Sequence, residues 1–187
     1  MKTLLYRILP VLLLVSLACT INIGGPTPPA PPPTVDPAAL DSLKASWAAA
    51  IAAAAASGGQ VTVSITEPQL TALVAAKLAD DPDAFFQQPQ VLLRDNQMQV
   101  FGVAKQSGIT ANVRMVVTVT VDAEGVPQFH MVSADFGPLP APEGLLEGLS
   151  DMLNEALTGK IVPSATGFRL ESITIGDGIM TLQGAMH

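Results

Sequence analysis

Few residues in this chain are of a type that does chemistry: one Cys and two His among 187. A single Cys closes no disulfide within the chain and supplies no Cys-based zinc site, which leaves attachment or nucleophilic roles. His130 falls in the alternating stretch 126–136, on the phase of Val126, Gln128, Val132 and Ala134. As a general base it would need a nucleophile or carboxylate in reach, and Asp135 lies on the opposite phase. His187 is the last residue of the sequence, where side chains are seldom held. Asp80, Asp81 and Asp83 crowd one stretch, yet they lack the glycine turn and distal Glu of a calcium loop. Glu143, Glu147, Asp151 and Glu155 recur four apart, a row on one helix face that water must screen. No G-x-S-x-G elbow, H-E-x-x-H pair or phosphate loop occurs. The sequence therefore predicts no enzyme, no metal and no cofactor. Phe85-Phe86 follows the acidic stretch and is suited to lidding a cavity, dipping into a membrane or packing beneath the loop.

Charge and composition narrow the partners. The chain carries 9 Lys+Arg against 16 Asp+Glu, for a net charge of -7, with 4% aromatic residues. That balance opposes nucleic acid and offers few platforms for base stacking. Charged residues make up 13% and hydrophobic ones 49%. An ordinary soluble domain has about 25% charged residues. The length suits one domain with extra segments.

The first segment, 1–18, has the make-up of an export signal. Lys2 and Arg7 precede an apolar run from Ile8 to Leu17, interrupted by Pro10 and Ser16. The run falls short of the roughly 20 apolar residues that a spanning helix requires. It ends in Val15-Ser16-Leu17-Ala18-Cys19, which resembles the lipobox of bacterial lipoproteins, with Ser16-Leu17 departing from that family's usual Leu-then-small order. The resemblance implies cleavage before Cys19, lipid on its sulfur and an extracytoplasmic protein anchored to a bacterial membrane. Each buried acyl CH₂ contributes about 0.8 kcal/mol, so two or three chains anchor firmly. Loss of Lys2 and Arg7 with the signal takes the net charge from -7 to -9. The lipid itself, not attraction to anionic headgroups, would then hold the protein. Residues 19–37 read as the lipidated Cys plus a linker holding seven of the 16 prolines. As polyproline II at about 3.1 Å per residue, Thr20–Pro37 is a stalk reaching roughly 55 Å.

The domain spans 38–187. Asp36-Pro37 is an N-cap with proline at the first helical position, and Gly58-Gly59 ends the helix. Leu40, Leu43, Trp47 and Ile51 recur at helical spacing, with Trp47 as a packing anchor. Val61–Ile65 alternates as a strand, and Thr66 with Gln69 forms a capping box for a short helix. Val91–Arg94 and Gln97–Lys105 make a hairpin around Asp95-Asn96. Ile109–Val121 is apolar at every second position, predicting one strand of roughly 40 Å. Val126–Phe136 returns, a helix opens at Glu143, and Phe168–Ile175 and Ile179–Met186 form a last hairpin. The predicted class is α+β, a long, mostly antiparallel curved sheet packed with two to three amphipathic helices.

Five features carry a further resemblance: Ile65-Thr66-Glu67-Pro68-Gln69-Leu70 entering a helix, the Val91–Val103 hairpin, the strand pair 109–136, Gly137-Pro138-Leu139-Pro140 before a helix, and the closing pattern from Ile173 to Gly184. Together they resemble small bacterial envelope proteins of the tubular lipid-binding (TULIP-like) type. That resemblance implies an apolar groove for acyl chains between sheet and helices, without catalytic residues. Groove candidates are Val113, Met115, Val117, Leu149 and Leu153, with Phe85 and Phe86 beside them. The expected function is a membrane-anchored lipoprotein binding a lipid or other apolar ligand. The alternative is a structural or protein-interaction lipoprotein whose same faces make a filled core, because groove and core faces share one alternation.

Overall fold

A computed structural model describes residues 21–22, 24–29, 31, 36–79, 86–106, 109–137, 150–151, 154 and 168–186. Among the described residues the elements are the helices α1 (Pro37–Ser57) and α2 (Glu67–Ala79) and the strands β1 (Ile21–Asn22), β2 (Gln60–Thr66), β3 (Phe86–Arg94), β4 (Gln97–Gln106), β5 (Ile109–Val121), β6 (Pro127–Asp135), β7 (Phe168–Ile175) and β8 (Ile179–Met186), with Ser150, Asp151 and Asn154 also helical. The class is α+β, with two antiparallel sheets. One runs β3-β4-β5-β6, and β1 lies parallel to the start of β5; the other runs β2-β8-β7.

Local chemistry sets the elements. The Asp36 carboxylate accepts the Ala38 N–H at 2.9 Å, Pro37 opens α1, and Gly58 closes it at φ 92°. Gln69 Oε1 accepts the Thr66 N–H at 2.9 Å, the return half of a capping box. Gln69 Nε2 then donates to Ser42 Oγ at 2.8 Å, tying α2 to α1. Asp95 and Asn96 take φ 54° and 59°, as a two-residue type I′ hairpin demands.

Three edge strands, β3, β6 and β7, each carry one bulge. They fall between Gln87 and Gln90, opposite Val116–Val117, and between Leu170 and Ser172. One extra residue flips the side-chain phase. Phe86 therefore joins the face of Val91 and Leu93, Ala134 joins that of Phe129 and Met131, and Leu170 joins that of Ile173 and Ile175. In all three strands the flip keeps apolar side chains on the buried side. β5 has no bulge of its own: every second one of its 13 residues from Ile109 to Val121 is apolar, although Val116 on the opposite phase is buried as well.

The two sheets meet where the β5–β6 turn reaches β7. Arg169 Nη2 donates to the Ala123 carbonyl. On the other side, the Gly178 N–H donates to the Leu93 carbonyl at 3.0 Å. α1 crosses to β2 through Leu43, Trp47 and Ala54, all buried in one cluster with Val63, Ile65 and Leu182. Trp47 stacks edge-on to Phe168 with centroids 5.5 Å apart. Since Trp47 is the sole Trp and is buried, its emission is expected blue-shifted in the native protein. It should shift red at the denaturant concentration where far-ultraviolet circular dichroism is lost; separated midpoints would show that α1 unfolds apart from the sheets.

Candidate functional site

The inner face of β3-β4-β5-β6 is apolar across all four strands. Val91, Val100, Met115 and Ala134 stand in one cross-strand row, and Leu93, Met98, Val117 and Met131 in the next. Val113 sits opposite Gly102, and Val119 opposite Phe129. No polar side chain interrupts these rows. Val113, Met115 and Val117, the groove candidates on β5, are thus brought side by side, at 0%, 5% and 0% exposure.

Phe86 is also buried, and its ring lies over Gly102: a Cβ there would stand 2.3 Å from Phe86 Cζ. The same device recurs in the other sheet, where a Cβ on Gly184 would stand 2.6 Å from Phe168 Cζ and 2.2 Å from the Arg169 carbonyl oxygen. Each pair joins an edge-strand Phe to a central-strand Gly, so the ring covers the gap that the glycine leaves. Phe85, Leu149, Leu153 and Cys19 lie outside the described residues, as do Asp80, Asp81, Asp83, Glu143, Glu147, Glu155 and His187.

The free edges of this sheet are closed by side chains. On β3 the outward N–H groups of Val91 and Leu93 donate to Thr71 Oγ1 (2.9 Å) and Glu67 Oε1 (2.7 Å), four residues apart on α2. Arg94 Nη1 completes the Glu67 carboxylate. On β6 the N–H groups of Phe129 and Met131 donate to Asn154 Oδ1 (2.7 Å) and Ser150 Oγ (3.0 Å), and Asn154 Nδ2 returns a bond to the Phe129 carbonyl at 3.0 Å. Ser150 and Asn154 are helical, again four apart. The amide of Asn154 thereby substitutes for one residue of a neighbouring strand. Pro127, two residues before Phe129, offers no N–H, and neither does Pro89 in the β3 bulge. These are the devices that keep a sheet edge from recruiting another chain.

His130 is exposed on the outer face, where its carbonyl accepts from Thr118 Oγ1 at 3.4 Å. The β6 bulge corrects the phase inferred for its surroundings. Ala134 has moved to the inner face, and Asp135 shares the outer face with His130. Asp135 nevertheless pairs across to Arg114, four registered positions from the Thr118–His130 pair. That is about 14 Å along a strand, so the two do not form an acid–base couple. Among the described residues no three His, Cys, Asp or Glu side chains gather as a metal site, and no helix is long and apolar enough to cross a membrane.

Asp122 organises the β5–β6 turn. Its carboxylate accepts the N–H groups of Val126 (2.8 Å) and Glu124 (3.0 Å) and the Gln128 side-chain amide (2.9 Å). These bonds, the one from Val126 foremost, hold its pKa below the ordinary 3.8. A folded-state pKa depressed below the unfolded one contributes stability that is complete above the unfolded value and is lost as pH falls through the folded one. The native protein is expected to lose denaturant resistance below about pH 4, and Asp122→Ala to lose less of it over that interval. Urea midpoints at pH 7 and pH 2.5 for both proteins check this.

Comparison with family models, with curated proteins and with solved structures found no match. The chemistry therefore rests on the geometry alone: an α+β protein with one apolar sheet face and side chains bonded to outward N–H groups on both its β3 and β6 edges. Gly102, Thr71, Ser150 and Asn154 were not singled out from the sequence. Glycine inside the β4 alternation is the one signal that marks a close approach.

Proposed function

We propose that the chain is a membrane-anchored extracytoplasmic lipoprotein, with lipid on Cys19, that takes up a lipid or other apolar ligand between the inner sheet face and the helix carrying Ser150 and Asn154. The observation that carries this reading is the aliphatic face itself. In its two central cross-strand rows, four adjacent strands present Val, Leu, Met and Ala with no polar side chain among them, and Phe86 and Phe129 flank these rows. An acyl chain asks for such a surface and for little else. The attachment of the Ser150–Asn154 helix adds to it. That helix meets β6 through side-chain hydrogen bonds at the edge, which can separate without breaking a rung of the sheet ladder. A long curved sheet wrapping that helix, as in TULIP-like proteins, belongs to the same proposal. No residue is assigned to catalysis.

A second reading has its own support. Val113 and Val117 are closed to solvent within the cluster that also holds Val63, Ile65 and Leu182. This favours a structural or protein-interaction lipoprotein with a filled core. Native mass spectrometry of the processed protein with envelope lipids, together with displacement of a fluorescent fatty acid, separates the two. Ligand binding predicts bound lipid masses, and Met115→Trp, which fills the space, is expected to weaken displacement about tenfold, or 1.4 kcal/mol. Absence of bound lipid and of displacement from the native protein selects the filled core.

A further inference from the structure

The stretch that sequence alone reads as the beginning of a stalk is fastened to the domain. Ile21 and Asn22 pair in parallel with Ile109 and Thr110, and the Asn112 N–H donates to the Gly24 carbonyl at 2.9 Å. β4 occupies the other edge of β5 here, so the segment takes the edge that β6 leaves free beyond Arg114. Gly25, at φ 116°, lies so close that a Cβ would stand 2.3 Å from the Asn112 carbonyl oxygen, and Gly137 packs against Gly25 in turn. A flexible tether makes no such contacts.

Covalent geometry then limits the distance to the anchor. Two peptide units separate Cys19 from Ile21, at most about 7 Å. A neighbouring strand adds about 4.8 Å, which brings the start of β5 within roughly 12 Å of the Cys19 backbone. The headgroup layer on one side of a bilayer is about 5–8 Å deep. Ile109, 41% exposed, stands at this end, and Lys105 faces Thr110 beside it. Resting on the lipoprotein reading above, we infer that the β4–β5 end of the four-stranded sheet sits against the bilayer surface, with Ile109 at the contact. The β5–β6 turn points away, about 40 Å further along β5. The proline segment then spans from Gly25 back to α1 and does not lift the domain.

Cys19 is the sole cysteine, so its acylation leaves any introduced thiol unique. The processed full protein carrying a fluorophore at Lys105→Cys or at Glu124→Cys is reconstituted into phosphatidylcholine–phosphatidylglycerol vesicles with a nitroxide on the headgroup. Quenching is expected to be at least about threefold stronger at 105 than at 124. Adding Gly25→Val, which forces the segment off β5 and frees some sixteen residues of tether, is expected to abolish the difference while circular dichroism stays native. Mass spectrometry of the N-terminal peptide reports the anchor separately. Acylated protein with equal quenching at both sites, or with the difference unchanged by Gly25→Val, overturns this inference alone. Protein without acyl chains overturns the lipoprotein reading and this inference with it.

Discussion

Gly184→Ala is expected to destabilise the protein by about 3 kcal/mol or more, enough to leave much of it unfolded. Gly184 is buried in the central strand of the β2-β8-β7 sheet, registered to Val61 on one side and Leu170 on the other. Its φ is not left-handed, so the demand is for space. The added methyl would meet a backbone oxygen at 2.2 Å, and backbone in mid-sheet cannot swing aside as a side chain does. It would also displace the Phe168 ring from its edge-on contact with Trp47. The loss should therefore appear first as a red shift of Trp47 emission. Gly102→Ala is expected to cost less, since the Phe86 ring it meets can tilt and its backbone clash, with the Gln87 carbonyl oxygen at 2.8 Å, is milder than the one at Gly184. Urea titrations of both variants test the order. A Gly184→Ala protein as stable as the native one would show that the bulge after Leu170 absorbs the methyl.

Asn154→Leu carries the second large effect, about 2–4 kcal/mol. The substitution keeps the volume but removes both bonds to the part-buried backbone N–H and carbonyl of Phe129. An unpaired buried donor or acceptor costs about 1–3 kcal/mol each. Asn154→Asp keeps the acceptor for the Phe129 N–H but loses the donor, and is expected to lie between. The matching change on the other edge is Thr71→Val, which orphans only the Val91 N–H and should cost about 1–3 kcal/mol. Amide hydrogen exchange reads the effect locally. Phe129 and Met131 should lose protection in Asn154→Leu while Val91 and Leu93 retain theirs. Uniform loss across all four would mean the edges unfold as one unit.

Much of the architecture was legible because its signals are local. Asp36-Pro37, Gly58-Gly59, Thr66 with Gln69, and Asp95-Asn96 each act within a few residues, and the structure places caps and turn at these positions. β5, β7 and β8 follow the predicted bounds, and α1 and β2 extend at most one residue beyond theirs at either end. The bulges were not legible. A bulge is set by what a strand must bury on both sides of it, so pattern-reading carried a single phase through Met131-Val132 and misplaced Asp135 relative to His130. The edge closures were equally hidden. Thr71 reads as an ordinary residue of an amphipathic helix, and nothing in its neighbours says that a strand twenty residues on will present Val91 to it. Of the seven groove candidates, Val113, Met115 and Val117 share the inner face because period-two alternation and burial are the same statement on an unbulged strand, whereas Phe86 reaches that face only through the β3 bulge.

The two edge closures differ in the order in which a growing chain provides them. Thr71 and Glu67 precede Val91 and Leu93 by 20 and 26 residues, so the guards of β3 exist before the strand does. On β6 the sequence runs the other way: Ser150 and Asn154 follow Met131 and Phe129 by 19 and 25 residues. A chain emerging N-terminus first at about 5–20 residues per second leaves the outer amides of β6 unclaimed for on the order of one to five seconds. During that interval the four-stranded sheet is nearly complete and one of its edges is open to any other extended chain. The vulnerability of this protein is thus a matter of timing, absent from the finished fold and written in the direction of synthesis.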